Sequence, residues 1–86
     1  MKPERGTIVC SKAGRDKDYF MVVVENAGGT VFVCDGKERP LERPKKKNVK
    51  HIFLTDRVLA DDQLHTNRSI RHALSDFKAT NAKGEI

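Results

Sequence analysis

The chain has 86 residues, is 37% hydrophobic and 34% charged, and carries a formal net charge of +5. That length suits a single domain, which buries only about 60% of its unfolded surface and has no room for a substrate domain beside a catalytic one. No apolar run approaches the roughly 18 residues of a membrane span, and no signal-like stretch follows Met1-Lys2-Pro3-Glu4-Arg5, so the protein is expected in the cytoplasm and away from membranes.

In chain order, residues 1–4 read as a frayed terminus. Residues 5–10, Arg-Gly-Thr-Ile-Val-Cys, are rich in β-branched side chains and predict a strand. The polar stretch from Ser11 to Asp18 predicts a loop, with Gly14 free to take positive φ. Residues 19–25, Tyr-Phe-Met-Val-Val-Val-Glu, are apolar on both faces, as a central strand beneath a second layer must be. Asn26-Ala27-Gly28-Gly29 predicts a hairpin turn, and residues 30–35 the strand after it. A basic, proline-containing segment follows. Its middle, residues 39–43, is expected to form a short edge strand, since sheets tolerate proline only at edges. Residues 49–54, Val-Lys-His-Ile-Phe-Leu, predict the last strand. Strands joined by short turns, with no helix between them, imply an antiparallel sheet closing on itself.

Beyond Thr55 the pattern changes. Ile70, Ala73, Leu74 and Phe77 fall at i, i+3, i+4 and i+7, one face of an amphipathic helix, with Thr66 or Asn67 as its cap. Arg68, Arg71 and Lys78 point off that face. The predicted organisation is a barrel over residues 1–56, a helical extension over 57–80 and a disordered tail over 81–86.

The charge is localised. Between Lys37 and Lys50 the chain has seven basic residues (Lys37, Arg39, Arg43, Lys45, Lys46, Lys47, Lys50) and two acidic ones (Glu38, Glu42). That segment alone holds the whole +5 excess. Concentrated positive charge attracts phosphate backbones. Pro40 and Pro44 keep the segment from being helical and stiffen it, so an extended arm there would lose less entropy on binding.

Residues 6–23 resemble a KOW motif: a strand, a polar loop centred on Gly14, and a second strand. Val33-Cys34-Asp35-Gly36, the basic stretch and His51-Ile52-Phe53-Leu54-Thr55 follow in the same order. The chain is similar to the KOW-domain proteins of bacteria that are related to an archaeal and eukaryotic large-subunit ribosomal protein. The resemblance covers residues 5–55, and the Thr66 to Phe77 helix resembles that group's C-terminal extension. It implies a mainly β fold: a small SH3-like antiparallel β-barrel of about five strands with a C-terminal α-helix. It also implies RNA binding through the loop between the first two strands. Ser11, Lys12, Gly14, Arg15 and Lys17 occupy the loop positions, and Arg43, Lys45, Lys46, Lys47 and Lys50 supply a basic arm. The chain departs from the pattern at Asp18, where many members have glycine; a carboxylate there repels phosphate. Asp16 and Asp18 nearly cancel the loop's cations, so the Lys45–Lys47 run is expected to supply most of the attraction.

The implied partner is ribosomal RNA, with ribosomal proteins as further neighbours and the chain acting as a monomer. The alternative is a protein-interaction module of the ribosome or transcription machinery, using the barrel and the C-terminal helix. Catalysis is not expected: His51, His65 and His72 are scattered, and no glycine-rich phosphate loop is present. No cofactor or metal is expected, because Cys10 and Cys34 lack the close pairing of zinc ligands and read as reduced, buried thiols. The single clear helix has no partner that would make a helix-turn-helix. Phe20, Phe32, Phe53 and Phe77 are expected in the core. Tyr19, beside the polar loop, is the best candidate for an exposed aromatic.

Overall fold

A computed structural model describes residues 3–12, 14 and 17–80. Five strands form one antiparallel sheet: β1 (Thr7–Ser11), β2 (Phe20–Ala27), β3 (Thr30–Cys34), β4 (Lys45–Asn48) and β5 (Ile52–Val58). The order across the sheet is β4-β3-β2-β1-β5. A 3-10 turn (Val49–His51) joins β4 to β5. A second one (Asp61–Leu64) leads into the helix α1 (Asn67–Thr80). The molecule is therefore mainly β, a small barrel-like sheet with a C-terminal helix, as the sequence predicts. The disordered tail expected over 81–86 lies outside the described residues. No helix among the described residues is long and apolar enough to cross a membrane.

The sheet is apolar on both faces, and the alternation along its strands sorts two cores. Val9, Met21, Val23, Val31, Val33 and Ile52 pack together on one face, inside the bend of the sheet. Ile8, Val22 and Cys34 turn the other way and meet Ile70, Ala73, Leu74 and Phe77 of α1. Successive residues of a strand face opposite sides, so one strand serves both cores. The Val-rich β2 is the clearest case. Burying Ile70, Leu74 and Phe77 is worth roughly 1.5–3 kcal/mol each, a large share of the 5–15 kcal/mol net stability of an ordinary domain. The helix is thus integral to the core. Phe20 extends this packing, with its ring 5.2 Å from that of Phe77 in an edge-on arrangement.

The helix starts where its cap predicts. The Ser69 amide donates to Thr66 Oγ1 at 3.0 Å, satisfying one of the unpaired N–H groups of the first turn. Asn67 then ties the helix to the β3–β4 connection. Its Oδ1 accepts from the Leu41 amide at 2.7 Å, and its amide donates to the Glu42 carboxylate. That hydrogen bond from Asn67 holds the Glu42 carboxyl below the usual range. Arg71 donates from its guanidinium to the Gly36 carbonyl at 2.8 Å.

Two predicted strands differ from those observed. Residues 39–43 do not form the edge strand; the Arg43 amide bonds to the Pro40 carbonyl at 2.9 Å and closes a turn. Asp35 Oδ1 accepts from the amides of both Lys37 and Arg39, so the start of the segment is also folded on itself. The edge strand is the lysine run, Lys45–Asn48. The last strand starts at Ile52, after the 3-10 turn, and runs to Val58. Between Thr7 and Val9 the β1–β5 register shifts, with three β5 residues facing one on β1. Thr55 donates its hydroxyl to the Ile8 carbonyl at 2.6 Å within this bulge, replacing the interrupted ladder.

Two tests follow from the packing. Gly36 has φ +79°, and a Cβ there would stand 2.4 Å from the Asn67 carbonyl oxygen; Gly28 has φ +75° with open space around it. Gly28→Ala is expected to cost about 1 kcal/mol from backbone strain alone, and Gly36→Ala about 3 kcal/mol because the helix must shift as well. Urea unfolding of the two variants measures the difference. Burial, helped by Asp35 and Glu42, raises the Cys34 thiol to about 11. The folded state disfavours the thiolate, so the associated stability is present below pH 9 and is lost as pH rises toward 11. Between pH 9 and 11, denaturation should show a steeper loss of stability in the parent than in Cys34→Ala.

Candidate nucleic-acid interface

The end of the barrel at which β1 stops is where the predicted loop meets a second element. β1 is paired on both sides, so its last residue, Ser11, is fixed opposite Ile52 of β5. One residue further, the Lys12 amide donates to the His51 carbonyl at 2.8 Å. At the other end of the 3-10 turn, the Val49 amide donates to the Gly29 carbonyl at 3.1 Å. The turn therefore runs from the β2–β3 hairpin to the β1–β2 loop. It sets Lys50 and His51, both exposed, beside Lys12. Asn48 accepts from the Lys50 amide at 2.8 Å and caps the turn.

Of the loop positions, Lys12, Gly14 and Lys17 are exposed. Gly14 has φ +83°, and Lys17 folds back with its amide on the Gly14 carbonyl at 3.3 Å. Arg15 lies outside the described residues. Ser11 differs from these three loop positions. It is 1% exposed, its amide bonds to Tyr19 O, and its carbonyl accepts from Asp18 N, so it holds the loop's base and is shielded from a ligand.

The lysine run is not a uniform stripe. Residues directly opposite across a sheet share a face. Lys45 and Lys47 sit opposite Val33 and Val31, whose side chains face the inner core, while Lys46 sits opposite Phe32. Lys47 is 8% exposed. Its stem is covered by the sheet, so it offers less surface to a phosphate than its neighbour Lys46. Lys46 is exposed and Lys45 half-buried. Arg43 is exposed and belongs to the turn tied to the helix N-terminus through Leu41 and Asn67. The structure thus joins the β1–β2 loop, with Lys12 and Lys17, to the turn that carries Lys50 through the Lys12–His51 backbone bond, while Lys46 lies on β4 opposite Phe32.

Sequence reasoning missed Phe53. Expected in the core, it is 59% exposed, and Tyr19 is 54% exposed. Phe53 pairs with Cys10 of β1, on the face that α1 covers elsewhere but does not reach here. The Lys12 ammonium sits 4.4 Å from the centre of its ring. The Ile52-Phe53-Leu54 triplet carries the signal, because alternation must turn its middle residue away from Ile52 and Leu54, which serve the inner core.

One carboxylate opposes these cations. Asp18 sits close enough to Cys10 to add to the burial that raises its thiol. Asp18 also has φ +72° and is the one non-glycine residue with positive φ among those described. A groove of about 480 Å³ opens nearby, between the loop, the β3–β4 connection and α1. Its lining mixes Asp18, Asp35 and Glu38 with Lys37, Arg71 and Lys78, so it offers an anion no net attraction.

Comparison with protein-family models finds none that matches the chain, and a search of the curated proteins finds no match.

Asp18→Gly is expected to stabilise the protein by about 0.5–1 kcal/mol, because glycine adopts the left-handed conformation without steric cost. Thermal unfolding measures this; a lower midpoint would show that the Asp18 side chain contributes more than its backbone strain costs.

Proposed function

We propose that this chain is a non-catalytic, cytoplasmic RNA-binding module. It acts as a monomer and grips structured RNA, ribosomal RNA in the first instance, by its phosphates. Ribosomal proteins are its further neighbours. The observation that carries this reading is the rim where the β1–β2 loop meets the 3-10 turn. There the Lys12 amide bonds to the carbonyl of His51, the residue that follows Lys50, with Lys17 on the same loop. The resemblance to KOW proteins and the localised +5 charge support the same reading.

Lysine ammonium groups contact phosphate as point charges and read no base identity, so affinity at this rim is set by counterion release. Asp18 weakens it and Lys46 adds to it from the edge strand. The apolar face of α1 is used in the core through Ile70, Leu74 and Phe77. That face is not free to dock a protein partner, which favours the RNA reading over the protein-interaction one.

The test is the salt dependence of affinity for a structured ribosomal RNA fragment, measured by fluorescence anisotropy. The parent should bind with a steep negative slope of log K against log salt. Lys12→Ala and Lys50→Ala should each lower that slope by about 0.7–0.9. Lys47→Ala should leave the slope unchanged while lowering stability by about 1 kcal/mol through lost packing of its stem. Salt-independent binding, or a slope that responds to Lys47 and not to Lys12 or Lys50, would contradict the proposal.

A further inference from the structure

We infer that Phe53 is a stacking platform for an unpaired base, so that the preferred ligand is RNA with a bulged or looped-out nucleotide rather than a continuous duplex. This rests on the RNA-binding reading above and deepens it. Phe53 stands in a strand, a rigid element, and its partner Cys10 is itself flanked by Phe20 on the other side. Phe20 is covered by Phe77 of the helix. Phe53 is the aromatic of this row that the helix leaves open.

An exposed phenylalanine has no hydrogen bond to offer, and a single one on a surface is ordinary. What distinguishes Phe53 is its surroundings. The ammonium of Lys12 lies over its ring, while Lys50 and His51 precede it in the chain. Even with that ammonium in place the residue stays 59% exposed. An unpaired nucleotide needs two things at once, an apolar ring for its base and a cation for its phosphate. Lys12 and Phe53 provide both within one contact. Base stacking on an aromatic ring is worth more than an exposed ammonium–ring contact, so a base can take the ring and release the Lys12 ammonium to the adjoining phosphate. A paired base offers no free face, so a duplex gains from the lysines alone.

The chain contains no tryptophan, so Phe53→Trp introduces a single tryptophan at the platform, excited at wavelengths that Tyr19 does not absorb. Two RNA hairpins serve as probes, identical except that one carries a single bulged adenosine. The parent should bind the bulged hairpin about tenfold more tightly than the paired one. Phe53→Leu, which keeps an apolar side chain but no ring, should bring the bulged hairpin down to the affinity of the paired one, with an unchanged unfolding midpoint. The Phe53→Trp emission should be quenched by the bulged hairpin and not by the paired one. Equal affinity of the parent for both hairpins, or a bulge preference that survives in Phe53→Leu, overturns the platform while leaving phosphate binding intact. Failure of the parent to bind either hairpin in a salt-dependent way overturns the RNA reading and the platform together.

Discussion

The structure depends on the pairing of β1 and β2 with both of their faces buried. Ile8 and Val22 are opposite one another and look toward the helix; Val9 and Met21 are opposite one another and look into the barrel. A chain of 86 residues has little apolar surface to bury, and a sheet covered on one side only would leave half of these side chains in water. Adding α1 to the second face lets each strand contribute twice. This constraint fixes where the helix lies, and the helix in turn fixes the β3–β4 connection through Asn67 and Arg71.

The same pairing places the candidate interface. Because β1 has a neighbour on each side, its end brings together the β1–β2 loop and the turn that precedes β5. Residues nearly forty positions apart, Lys12 and Lys50, come to one rim because a strand ladder ends there. The helix covers the sheet face as far as Phe20 and stops short of Phe53. The face that the fourteen-residue helix covers thus sets which of these aromatics is buried and which is exposed.

Much of this was legible in the sequence where packing and local pattern agree. The Val-rich β2, the Gly28-Gly29 turn and the Ile70–Phe77 spacing each specify one structure, and Thr66 caps the helix as its residue type suggests. The edge strand was misplaced for a physical reason. Three lysines carry no apolar alternation and little strand preference, whereas the prolines of the segment pointed to an edge strand over residues 39–43. Tertiary contacts decided otherwise: Leu41 packs toward the helix-covered core and its amide is taken by Asn67. The candidate site was legible as a set of cations and not as a surface. Charge counting ranks Lys45, Lys46 and Lys47 together, and only the cross-strand register shows that Lys47 faces the core side. Phe53 was hidden for the converse reason: alternation turns it off the inner core, but hydrophobicity assigns it to the face under α1, and the sequence does not show that the helix stops short of it.

RNA is proposed to meet the chain at the rim shared by the β1–β2 loop and the 3-10 turn. Titrating a structured RNA hairpin into isotopically labelled protein and following backbone amide shifts locates the contact directly. The largest shifts are expected on Lys12, Gly14, Lys17, Tyr19, Lys50, His51 and Phe53, with α1 unmoved. Shifts concentrated on the outer face of α1, around Arg68 and His72, or none at saturating RNA, would contradict it.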